Sequence, residues 1–141
     1  MDLTNFYILF FLFVSVYALA CRVGYLRLSK YYDKTDVLKS EADILKLQST
    51  LREQMLFIFV TLPFGGGAIL SMLIYGFTGI LGINETILFV VLIAINMYAT
   101  KRVKLLELKI TEIPAETDEL ESKRDHAVYV WQKKLLPRFD N

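Results

Sequence analysis

Charge is missing from almost half of this sequence. Residues 55–100 carry one charged side chain, Glu85, in 46 positions, and residues 1–21 carry only Asp2. A bilayer-spanning helix needs only about 20 apolar residues. Uncharged runs of this length therefore exclude a soluble core, and with it a nucleic-acid binder or a small secreted domain. Cysteine is nearly absent too. Cys21 stands alone, so the chain has no disulfide framework. His126 is the single histidine, which excludes a haem held by two histidines of this chain and a zinc site built from its His and Cys. Gly65-Gly66-Gly67 lies inside an apolar run and lacks the lysine of a phosphate loop. No acidic or basic residue lies between Met55 and Asn84, which argues against an autonomous proton pump or ion-coupled transporter.

What is present is 55% hydrophobic residues and 31 charges, 16 basic and 15 acidic, for a net charge of +1. These charges are segregated. Residues 22–54 hold seven basic and five acidic residues, and residues 101–141 hold nine and eight.

The first apolar run, Leu3–Ala20, would extend roughly 27 Å as a helix, close to the hydrocarbon thickness. Ala18-Leu19-Ala20-Cys21 resembles a signal-peptidase site, but only Asp2 precedes the run where a signal peptide carries basic residues. We read 1–21 as a retained transmembrane helix. The run Met55–Gly82 is too long for one upright span and contains Pro63 before the three glycines. It is read either as a span over 55–76, kinked near Pro63, or as a span over 63–82 after an interfacial turn; the first is preferred. A third span covers about 83–100, completing a hairpin over 55–100 whose turn falls within Gly76–Glu85.

Lys and Arg beside membrane helices stay on the cytoplasmic side or its equivalent. Three spans put 22–54 and 101–141 on one side, and all 16 basic residues with them. The expectation is thus an all-α, multi-pass membrane protein with its N-terminus outside, its C-terminus inside, helical inner-side extensions and an inner helical tail. Asn84-Glu85-Thr86 is a glycosylation triplet that falls outside in this arrangement, although such triplets also arise by chance.

Within 22–54, residues 36–54 read as an amphipathic helix capped by Thr35 or Asp36 and running into the second span. Lys39, Asp43, Lys46, Thr50 and Glu53 are polar against Val37, Leu38, Ala42, Ile44, Leu45, Leu47 and Leu51. Val37, Ile44 and Leu51, seven apart, permit a short coiled-coil contact. The third span continues inward as a stripe of Val103, Leu106, Ile110 and Ile113, backed by Lys104, Glu107 and Thr111, to Pro114. Packing 36–54 against 101–113 would bury both stripes; a partner covering them is the alternative. Thr117-Asp118-Glu119 opens a new helix, whose Ala127, Val128, Trp131 and Leu135 form a narrow apolar stripe that could lie on anionic headgroups or dock into a partner.

Asn96, Thr61, Ser71 and Thr78 are the polar residues of the apolar runs. Asn96 is read as packing glue, and Pro63, Gly65, Gly66, Gly67 and Ser71 as sites of helix bending and close approach. Val37, Ile44, Leu51, Val128, Trp131 and Leu135 are the candidates for partner docking. No catalytic, cofactor or metal residue is assigned. The chain is expected to be a non-catalytic accessory subunit of a larger membrane complex. Its partners would be other integral subunits, in a hetero-oligomer, and the lipid bilayer. The layout of an outer N-terminus, one span, an inner helical segment and a two-span hairpin also resembles the three-span core of the Oxa1/Get1 superfamily. That resemblance implies a membrane-protein insertase or biogenesis factor.

Overall fold

The computed structural model describes residues 3–79 and 81–133. Four helices run through them: α1 (Leu3–Tyr32), α2 (Glu41–Phe77), α3 (Ile83–Thr111) and α4 (Asp118–Lys133). Hydrocarbon offers no partner to a backbone N–H or C=O, so a spanning segment must satisfy its own, as a helix does. The first three helices are long and apolar enough to cross a membrane, which points to an integral membrane location. At 30, 37 and 29 residues and 1.5 Å per residue, each also outruns a hydrocarbon layer of about 30 Å. The surplus is charged sequence.

Two compact units divide the chain. Unit 1 comprises Met1–Val23 and Phe59–Arg102, and unit 2 comprises Gly24–Ile58 and Val103–Asn141. Unit 1 therefore takes most of the uncharged sequence. Its core is aromatic: Phe6, Phe10, Val14, Ala68, Tyr75 and Phe89 are buried together. Phe89 of α3 meets Phe10 at 4.4 Å between ring centroids and Phe6 at 4.9 Å, edge-on, while Tyr75 of α2 meets Phe6 at 4.5 Å. One ring cluster thus joins all three helices, within the range where aromatic pairs contribute beyond the area they bury. Pro63 lies inside α2, which continues through it. Gly79, at φ +69°, closes the end of α2 in the left-handed region that glycine enters without steric cost.

In unit 2 the expected helix over 36–54 begins later, at Glu41. Leu38 is pulled into a backbone bridge instead: its N–H bonds to the Pro114 carbonyl at 2.9 Å, and its carbonyl accepts from Glu116 N–H at 3.0 Å. Ser40 then caps the helix. Asp43 N–H bonds to Ser40 Oγ at 3.3 Å, and Asp43 Oδ2 accepts from Ser40 N–H at 3.1 Å and Lys39 N–H at 3.0 Å. This reciprocal cap satisfies the first orphan donors better than Thr35 or Asp36 could. Thr35 is buried instead, its N–H bonded to the Tyr32 carbonyl at 3.2 Å. These bonds hold the Asp43 carboxyl below its ordinary range, the Lys39 N–H contributing most.

The buried faces are narrower than the sequence pattern. α2 buries Ile44, Leu47, Leu51 and Gln54, and leaves Ala42 and Leu45 exposed. α3 buries Val103, Glu107, Ile110 and Thr111, so Glu107 and Thr111 lie inside and not on the polar back of the stripe. In α4 the Thr117 hydroxyl caps Leu120 N–H at 3.3 Å, and Leu120, Ala127 and Val130 are buried. Arg124 Nη1 donates to the Ile113 carbonyl at 3.0 Å, and Lys123 pairs with Glu41 at the start of α2.

Ser40→Ala should destabilise unit 2 by about 1 kcal/mol, the usual worth of an N-cap side chain. Faster hydrogen exchange at Asp43 and Ile44, with α4 amides unchanged, would be its signature.

Candidate membrane recess and buried polar junction

Unit 1 contains a recess of about 260 Å³ whose walls come from α1, α2 and α3. Val14 and Tyr17 contribute from α1, Leu62, Gly66 and Ile69 from α2, and Ile93, Asn96, Met97 and Thr100 from α3. The glycine run makes it. A Cβ on Gly65 would stand 2.9 Å from the Tyr17 ring, and one on Gly67 would stand 3.0 Å from the Phe13 ring. Those two glycines let aromatic rings of α1 sit against the α2 backbone. Nothing lies within 4 Å of a Cβ built on Gly66, which lines the recess. Three consecutive glycines thus divide into two that are covered and one that is open.

The polar atoms at the Thr100 end satisfy one another. Thr100 Oγ1 donates to the Asn96 carbonyl at 2.9 Å. A hydroxyl has one proton, so the 2.9 Å contact with Tyr17 must run from the tyrosine O–H into a lone pair of Thr100. Cys21 Sγ, 3.7 Å away, can give its weak S–H to the other lone pair. Asn96 Nδ2 returns to the Leu92 carbonyl at 3.0 Å. Ser71, also buried, bonds to the Ala68 carbonyl at 2.9 Å. The expected small-residue face of Gly67 and Ser71 is thus occupied inside this chain. Asn84 is exposed in the first turn of α3.

Unit 2 holds the feature that sequence reasoning missed. Gln54 of α2 and Glu107 of α3 are both buried and hydrogen-bonded to each other, and Glu107 Oε1 has no partner. Burial raises the Glu107 carboxyl above the ordinary glutamate value of 4.5, against the opposing pull of the Gln54 bond and the Lys104 charge. Gly24 of α1 allows the approach: a Cβ there would meet Phe57 at 3.2 Å and Gln54 at 3.5 Å. A usable signal existed in the sequence, since Leu47, Leu51 and Gln54 continue one face at helical spacing, as do Val103, Glu107 and Ile110.

The docking candidates disperse. Ile44 and Leu51 are buried in unit 2, and Val37 precedes α2, so the seven-residue repeat loses its first member. Val128 and Trp131 are half-buried, and Leu135 lies outside the described residues. His126 borders a separate groove of about 630 Å³ between α2 and α4, with Glu41, Leu45, Gln48 and Lys123. Among the described residues no group of three or more His, Cys, Asp or Glu is placed to hold a metal ion. No known family, curated protein or solved structure gives a significant match to the chain.

Two measurements check this geometry. A raised carboxyl pKa means that the folded state keeps the Glu107 proton to higher pH than the unfolded chain does. Stability should therefore fall as pH rises through and above 4.5, levelling off once the folded carboxyl ionises. Glu107→Gln should remove that slope in unfolding titrations. Thr100→Val should cost about 1 kcal/mol in detergent unfolding, the scale of membrane hydrogen bonds. Tyr17→Phe added to it should cost little more, because the bond is already gone.

Proposed function

We propose that this chain is a non-catalytic accessory subunit of a larger integral membrane complex. The carrying observation is apolar surface on the charged unit. Leu105 and Leu108, three apart on α3, are 50% and 41% exposed, and Leu45 and Tyr129 are 56% and 59% exposed. We take these apolar side chains on charged segments as the contact points for another protein. The groove beside Leu45 adds a concave contact, with Glu41, Lys123 and His126 as its polar rim. The orientation belonging to this reading has the N-terminus outside and the basic segments inside, since the alternative translocates all 16 basic residues. An insertase would need a hydrophilic groove open to the membrane, and the recess of unit 1 is mainly apolar.

Purification in a mild detergent should yield the chain in stoichiometric company with other membrane proteins. Leu105→Glu with Leu108→Glu should strip those partners while leaving helicity intact. A lone monomer or homodimer from gently solubilised membranes would overturn the subunit reading, and crosslinks to nascent chains would favour the insertase.

A further inference from the structure

From the recess and the charges of unit 1 we infer a binding site for one anionic phospholipid, its acyl chain lodged against Gly66 and its headgroup at Arg22, Lys101 and Arg102. This does not depend on the subunit reading; it needs only that unit 1 lies in a bilayer.

The recess selects hydrocarbon. Its polar side chains are engaged: Thr100, Tyr17 and Asn96 all bond within the chain. A polar ligand would find few groups left to pair with in walls that are otherwise apolar, whereas a chain of methylenes needs none. Leu62 and Met97, at 65% and 67% exposure, are wall residues that also face the surroundings, so the recess is open to them. A partner helix, about 10 Å across with its side chains, could place no more than a side chain in this recess. An acyl chain is narrow enough and is the material of the surrounding phase.

The charges select the headgroup. Unit 1 contains five charged residues, and they are sorted by sign. The acids, Asp2 and Glu85, stand at the start of the chain and in the first turn of α3. All three cations follow the other end of the recess. Arg22 comes directly after Cys21, and Lys101 and Arg102 directly after Thr100, where the Cys21–Thr100 contact brings α1 and α3 together. All three are exposed, with Arg102 over the ring of exposed Tyr98 at 6.0 Å. Cations that follow the Thr100 end of an apolar slot complement a phosphate whose acyl chain enters the slot.

The test uses the full chain in nanodiscs of phosphatidylcholine containing a phosphatidylglycerol whose acyl chain bears a photoreactive diazirine. Crosslinks should map to the peptides around Gly66 and Met97, and unlabelled phosphatidylglycerol should compete better than phosphatidylcholine. Gly66→Leu, which meets no neighbouring atom at its Cβ, should abolish these crosslinks without changing detergent unfolding. Neutralising each cation (Arg22→Gln, Lys101→Gln, Arg102→Gln) should lower the preference for the anionic lipid about five-fold. Equal competition by both lipids would overturn the headgroup assignment. Undiminished crosslinking in a folded Gly66→Leu chain would overturn the acyl site. Crosslinking that emerges only after co-purifying proteins are stripped would assign the recess to a partner's side chain instead.

Discussion

Inside a bilayer, burying an apolar side chain against another helix gains little over leaving it in lipid, so helices there must hold one another by close contact. Unit 1 meets that constraint by pairing large rings with missing side chains. Tyr17 lies against Gly65 and Phe13 against Gly67, which brings the α1 and α2 backbones near enough for dispersion to accumulate over many atoms. The rings at Phe6, Phe10, Tyr75 and Phe89 extend the same seam and add α3. Once α1 and α2 are drawn together at two of the three glycines, the third has no ring to cover it. The recess is a by-product of that geometry.

Unit 2 works under the opposite condition. Water surrounds charged sequence readily, and the hydrophobic effect rewards burial of Leu28, Leu38, Leu47, Leu51 and Ile110. Its loops are locked by backbone bonds at Leu38, and its short helix by Thr117 and Arg124. The ion pairs on its surface contribute little individually. The costly element is Glu107, a carboxyl buried beside an amide with one oxygen unpartnered. A hydrophobic residue would pack there at lower cost, so its presence marks a position where the fold gives up stability as pH rises.

Much of the helical architecture was legible in the sequence, for physical reasons. Long apolar runs can only be helices in hydrocarbon, Pro114 ends α3, and Thr117 with its acidic followers starts α4. The sequence pattern places the start of α2 too early because Val37 and Leu38 continue an apolar pattern. That pattern was recruited by a tertiary bridge to Pro114 and Glu116, which no local rule encodes. The apolar face of α2 is wider in the sequence than in the fold for a related reason. Periodicity shows which residues share a side, and only the neighbours decide how much of that side is covered.

The sequence alone determined that charge would be sorted, that three helices could cross a membrane, and where basic residues would cluster, because these follow from transfer energies residue by residue. The tertiary structure decided which of three identical glycines is covered, whether Glu107 is solvated or buried, and which hydroxyl proton goes where around Thr100. Those outcomes depend on what stands opposite each side chain, and a neighbour 83 residues away in the chain, as Tyr17 is from Thr100, leaves no local signal.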